Sequence, residues 1–177
     1  MLLLSLPAWA EKISSTRAQA QVTRSGQLAI STRFDIQLPD QLKQALQQGV
    51  PLYFDLSYQL TAPTLAAYRN RFSNLVGKDN QIRYRLSYHP LTGRYRVSMG
   101  TFSTEYHSLE SALRAIGAAA NWRVLSSGSL SDAQAVRADV RLNLSISQLP
   151  KPFQINALTS KNWQLDSGWT ALNVSAE

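Results

Sequence analysis

The stretch Ile82-Arg-Tyr-Arg-Leu-Ser-Tyr-His-Pro-Leu-Thr-Gly-Arg-Tyr-Arg-Val-Ser-Met-Gly-Thr101 decides the fold. Apolar and polar residues alternate on both sides of its Pro90…Gly93 break. Period-2 alternation around such a break is the pattern of a β-hairpin. Pairing Tyr88 with Tyr95 sets the register, so that Leu86 faces Val97 and Tyr84 faces Met99. The other face then carries Arg83, Arg85, Arg94, Arg96 and His89. The hairpin has an apolar side for a core and a guanidinium side for solvent or a ligand.

The same alternation continues on either side of it. Residues 13–36 read as two antiparallel strands around Ser25-Gly26, with Val22, Leu28, Ile30, Phe34 and Ile36 as anchors. Leu52, Phe54, Leu56 and Tyr58 form one face of a strand over 50–60. Val136 to Ile146 alternates cleanly, and Trp163 to Val174 is strand-like around Ser167-Gly168. Two short helices interrupt the strands. One is capped by Asp40 and stops at Gly49, with Leu42, Ala45 and Leu46 inward. The other is capped by Ser108, with Leu109, Ala112, Leu113 and Ile116 as its stripe and Gly117 and Asn121 marking its end. Residues 64–77 also fit a helical stripe through Leu65, Tyr68, Phe72, Leu75 and Val76. Leu149-Pro-Lys-Pro-Phe153 reads as an extended crossover, because each proline removes a ladder donor.

No βαβ alternation is present, which disfavours a parallel nucleotide-binding sheet. The pattern predicts a mainly β chain: an antiparallel, immunoglobulin-like β-sandwich with two short helices. The alternative is an α+β layer with helices on one sheet face. Residues 11–177 read as one globular domain. A faint echo between Phe34–Pro39 and Leu144–Pro150, each a strand running into Leu-Pro, allows two β-rich halves sharing a core.

Residues 1–10 place the chain. Leu2 to Leu6 resemble the end of a signal-peptide core, Pro7 breaks it, and Ala8-Trp-Ala10 fits a small-x-small cleavage site. A basic start is missing, so the signal is expected to begin upstream. The chain is therefore expected in the periplasm. No apolar run approaches the roughly 20 residues that span a bilayer. The absence of cysteine excludes disulfides, thiolate metal sites and a cysteine nucleophile.

The net charge is +7, and 13 of the 18 basic residues are arginine. Guanidinium binds carboxylate and phosphate through paired hydrogen bonds. Export disfavours nucleic acid as partner and points to anionic lipid, cell-wall polymer or acidic protein surfaces.

Four segments resemble one family: Ala45–Leu52, Tyr84–Arg96, Ser108–Leu113, and Leu149–Leu158 followed by Trp163 and Trp169. In this order and spacing the chain is similar to the proteobacterial domain of unknown function (DUF) 4390 family. The resemblance implies an exported Gram-negative protein, with no reaction, ligand or catalytic residue attached. Genes of this kind are associated with neighbours encoding a sensor histidine kinase and an RNA methyltransferase. A tryptophan-rich segment is expected before the hairpin in that family, whereas this chain reads Ala66-Ala-Tyr-Arg-Asn-Arg-Phe72 there.

Little chemistry clusters elsewhere. His89 and His107 are the only histidines, and no metal or cofactor site is predicted from them. His89 reads as a solvated turn residue. There is no Gly-x-Ser-x-Gly elbow, no phosphate-cradling glycine loop and no marked carboxylate pair. The reading is not an enzyme, although an unrecognised envelope hydrolase stays open because a Ser-His-Asp triad need not be close in sequence. Trp122, Trp163 and Trp169 are either core or the lining of a groove.

The expectation is a non-catalytic exported module that binds a protein partner, envelope- or sensor-kinase-associated. Arg83, Arg85, Arg94 and Arg96 are the first candidate surface, and Lys151 with Phe153 is the second. An anionic lipid or cell-wall polymer is the alternative occupant of the arginine face. An ordinary solvated sheet face, with arginines deterring edge pairing, is the plainer account of it.

Overall fold

The computed structural model describes residues 12–61, 80–130 and 136–177. The signal-like residues 1–10, the stripe over 64–77 and the start of the strand read at 136 border on or fall in the rest. Of these, 1–10 and 64–77 lie outside the described residues.

The order is β1 (Ile13–Val22), β2 (Leu28–Ile36), α1 (Asp40–Gln47), β3 (Leu52–Leu60), β4 (Gln81–His89), β5 (Arg94–Met99) and β6 (Phe102–Tyr106). Then follow α2 (Leu109–Gly117), β7 (Ala118–Val124), β8 (Ala138–Leu144), α3 (Lys151–Thr159), β9 (Thr170–Ala171) and β10 (Asn173–Ala176). The chain is mainly β, with two open sheets and three short helices among the described residues. One sheet has the order β10-β1-β2-β7, the other β6-β5-β4-β3-β8-β9. Immunoglobulin-like topology is not shown. The expected antiparallel pairing holds except for β1 and β10, which run parallel from Gln19↔Asn173 to Val22↔Ala176. That pair joins the two ends of the described chain, and no local pattern announces it.

The hairpin forms in the expected register, with Tyr88↔Tyr95, Leu86↔Val97 and Tyr84↔Met99. Its apolar face enters the core at Tyr84, Leu86 and Val97, while Met99 stays 42% exposed. One core cluster collects Ile13, Ile30 and Phe34 from the smaller sheet with Phe54, Leu86 and Leu142 from the larger. α2 packs against both β2 and β5 and so bridges the sheets. Ser108 caps it as expected, its Oγ accepting from the Ser111 N–H at 3.2 Å. Gly117 ends it hard against the backbone carbonyl of Phe34, where a Cβ has no room.

Three local readings are corrected. Asp40 is the first residue of α1 rather than its cap, and Pro39 holds the cap position at φ −61°, ψ 152°. A carboxylate in the first turn is favourable there without capping, because it faces the positive end of the helix dipole. Asn121, read as a helix stop, lies inside β7 at φ 53°, beside an irregularity in the pairing with β2.

The third correction matters most for function. Residues 149–153, read as an extended crossover, instead lead through Pro150 into the helix α3, which takes up Lys151–Thr159. Proline at the first turn removes only an N–H that has no partner in the helix anyway, and its fixed φ suits the start. Leu38-Pro39 and Leu149-Pro150 make the same corner: a buried leucine, an extended proline, then a helix. The echo between residues 34–39 and 144–150 is therefore a repeated strand-to-helix corner.

No described helix is long and apolar enough to cross a membrane.

Candidate binding surfaces

The arginine face lies on the outer side of the six-stranded sheet, and its charges are largely paired. Arg83 on β4 stands opposite Asp55 on β3. Its Nε donates to Asp55 Oδ1 at 2.7 Å and its Nη2 to Oδ2 at 2.9 Å. Asp55 is buried at 7% exposure, so the pair satisfies a carboxylate that water scarcely reaches. The hydrogen bonds to Asp55 raise the pKa of Arg83 further above its ordinary value, against a smaller opposing effect of burial.

Arg96 and Arg94 on β5 share Glu105 on β6, at 2.6 Å and 3.8 Å. The hydrogen bond from Arg96, helped by the charges of both arginines, holds Glu105 below the usual carboxylate range. Further along the face, Arg141 on β8 donates from Nε to Asp166 at 2.8 Å and makes a second bond through Nη2. Burial works to raise the pKa of Asp166, but the bonds from Arg141 and from the Gly168 N–H hold it down. Arg85 remains: it is exposed, faces Ser98 and Tyr53 across the ladders, and has no ion pair among the described residues. The four hairpin arginines thus do not form an open cationic grid. Three of them are held by carboxylates from β3 and β6.

His89 is not a solvated turn residue. It ends β4 half-buried, and its Nε2 is shielded from water with no partner among the described residues.

The tryptophans do not line one groove either. Trp122 stands edge-on to Tyr58, with centroids 5.4 Å apart. Trp169, 43% exposed, lies under the Arg141 guanidinium at 5.8 Å. Trp163 is buried in a different place, beside α1 and α3.

That place is the second surface. Register puts the start of β3, the end of β4 and the end of β8 at one end of the large sheet, through Leu52↔Leu86 and Phe54↔Leu144. α1 and α3 are built on that end. Trp163 donates its Nε1–H to Gln41 Oε1 of α1 at 2.9 Å and meets the Phe153 ring of α3 at 5.5 Å. Between the helices lies an open groove of about 400 Å³. Phe153 is half-buried on its wall, while Lys151 is exposed in the first turn of α3.

α3 also turns large aliphatic side chains outward. Ile155 and Leu158 are 65% and 76% exposed, and Ala157 is the buried residue of the helix. Spaced i, i+3, they form a short apolar ridge. Reading residues 149–153 as extended left the helix beyond them, and so this ridge, unrecognised. The groove residues Gln41, Gln44 and Gln48 were legible as one helix face at i, i+3, i+7, but glutamines on an exposed face draw no attention alone.

Among the described residues, no group of three His, Cys, Asp or Glu is placed to hold a metal ion. The family model described as "Domain of unknown function (DUF4390)" matches residues 10–173. The chain belongs to the DUF4390 family. The match runs through both sheets and all three helices, so the arginine hairpin and the α1–α3 end are both parts of the family domain. No curated protein and no solved structure matches the chain.

Proposed function

We propose that this DUF4390 chain is a non-catalytic exported module that docks a protein partner of the cell envelope through its α1–α3 end. The observation that carries the reading is the ridge of Ile155 and Leu158, exposed on a helix whose one buried residue is Ala157. Aliphatic side chains one turn apart on a helix are the anchors by which a helix seats in a partner's apolar groove. The arginine face ranks second in this reading, because Asp55 and Glu105 occupy three of its four guanidinium groups and leave Arg85 alone unpaired among the described residues. The Ala8-Trp9-Ala10 site supports export to the periplasm. The gene neighbours associated with the family make a sensor histidine kinase a partner to try first. A sandwich-like pairing of the two sheets is part of the same reading, supported by the core cluster they share.

A second reading has its own observation. From Val140 to Leu165 the chain holds Arg141, Lys151 and Lys161 and no acidic residue. Lys151 sits at the N-terminal end of α3, where the helix dipole disfavours a cation. An apolar ridge flanked by lysines suits an anionic lipid surface.

The test compares Ile155→Asp/Leu158→Asp with Arg85→Ala in capture from envelope extracts and in sedimentation with phosphatidylglycerol vesicles. Docking predicts a defined captured protein that the ridge variant loses and Arg85→Ala keeps. Vesicle binding lost with the ridge favours the lipid reading. Equal capture by both variants removes α3 from the account.

A further inference from the structure

We propose that the groove between α1 and α3 is a binding site for an uncharged saccharide. The groove is walled by Gln41 and Gln44 of α1, by Gln48 at its C-terminal cap, by Phe153 and Asn156 of α3, and by Trp163. Among the described residues no ionisable side chain lines it, in a chain whose net charge is +7. An anionic ligand would find no cation there, and a cationic one no carboxylate. A wholly apolar ligand would cover the amides without satisfying them, which is costly.

The amides are set out for a ligand that both donates and accepts. Gln44, Gln48 and Asn156 are exposed, and their side chains make no hydrogen bond among the described residues. Gln41 is oriented: the Trp163 indole can only donate, so it fixes Oε1 inward at 2.9 Å and leaves the NH₂ for the groove. From residue 41 to 48 the α1 face spans about 10 Å at helical rise. Each amide offers a donor beside an acceptor, which matches neighbouring hydroxyls on a sugar ring. Phe153, packed at 5.5 Å on Trp163, gives a rigid aromatic wall for the C–H face of that ring. A peptide strand fits less well, because the helices present no free ladder of backbone groups for it to extend. Ile155 and Leu158 do not line the groove, so the inference stands apart from the docking reading.

The test titrates ¹⁵N-labelled protein with tri-N-acetylchitotriose, with maltotriose and with the uncharged peptide acetyl-tetraalanine amide. The expected result is saturating shifts with at least one saccharide, confined to α1, α3 and Trp163. Gln44→Ala and Asn156→Ala weaken it by about tenfold each, the loss of roughly one ligand hydrogen bond. Both positions are exposed, so circular dichroism is expected to show unchanged folding. Ile155→Asp leaves saccharide binding intact, which separates failure here from failure of the docking reading. The proposal is overturned by no saturation with either saccharide at about 10 mM. It is equally overturned by shifts that the two variants do not alter, or by saturation with the peptide alone.

Discussion

Arg83 closes a two-point hydrogen bond on Asp55 across the β3–β4 ladder, at 2.7 Å and 2.9 Å, with Asp55 buried and the arginine side chain 36% exposed. The pair behaves as a structural clasp, because removing the arginine leaves a buried carboxylate without its partner. Arg83→Ala is expected to cost about 2 kcal/mol in urea unfolding. Arg85→Ala, two residues along the same strand, is expected to cost about 0.5 kcal/mol or less. Equal losses for the two variants would contradict the assignment of separate roles.

Gly117 is required by packing. A Cβ there meets the Phe34 carbonyl, so Gly117→Ala must push α2 away from β2. The expected cost is about 3 kcal/mol, despite alanine's better helix propensity. Thermal unfolding of Gly117→Ala beside Ala115→Gly separates the two effects: only a clash makes the first the larger loss.

The carboxylates of Glu105 and Asp166 titrate below their ordinary range. A depressed folded-state pKa adds stability that is fully present above the unfolded value of about 4 and is lost as pH falls through the folded one. Stability is therefore expected to decline with acid below about pH 4. In Asp166→Asn that decline is shallower, and stability at neutral pH is lower by about 0.5 kcal/mol, since the pair with Arg141 is partly exposed. Unfolding midpoints measured from pH 7 downward check both statements.

The ridge on α3 should be silent in stability. Ile155 and Leu158 are mostly exposed, so Ile155→Asp/Leu158→Asp is expected to shift unfolding by about 0.5 kcal/mol or less. A large loss would show that these side chains pack, and the docking reading would lose its basis.

What was legible in the sequence was the part governed by short-range alternation. The hairpin register followed from the positions of Tyr88 and Tyr95, and the faces of β3 and β8 from period-2 spacing. The partners of the arginines were not legible. Asp55 is 28 residues from Arg83, and only the β3–β4 register brings them together. Glu105 belongs to β6, whose mostly exposed residues lack a hydrophobic signature. α3 was hidden by Pro150 and Pro152, which disfavour a helix interior yet suit a helix start. The candidate surface moved from β4 and β5 to α3 for those two reasons together.

The central claim is that contact is made through α3 and not through the arginine face. The most direct measurement is photocrosslinking in living cells, with a benzophenone amino acid placed at Leu158 in one strain and at Arg85 in another. The account predicts one discrete protein adduct from position 158 and none from position 85. An adduct from position 85 with none from position 158 would contradict it.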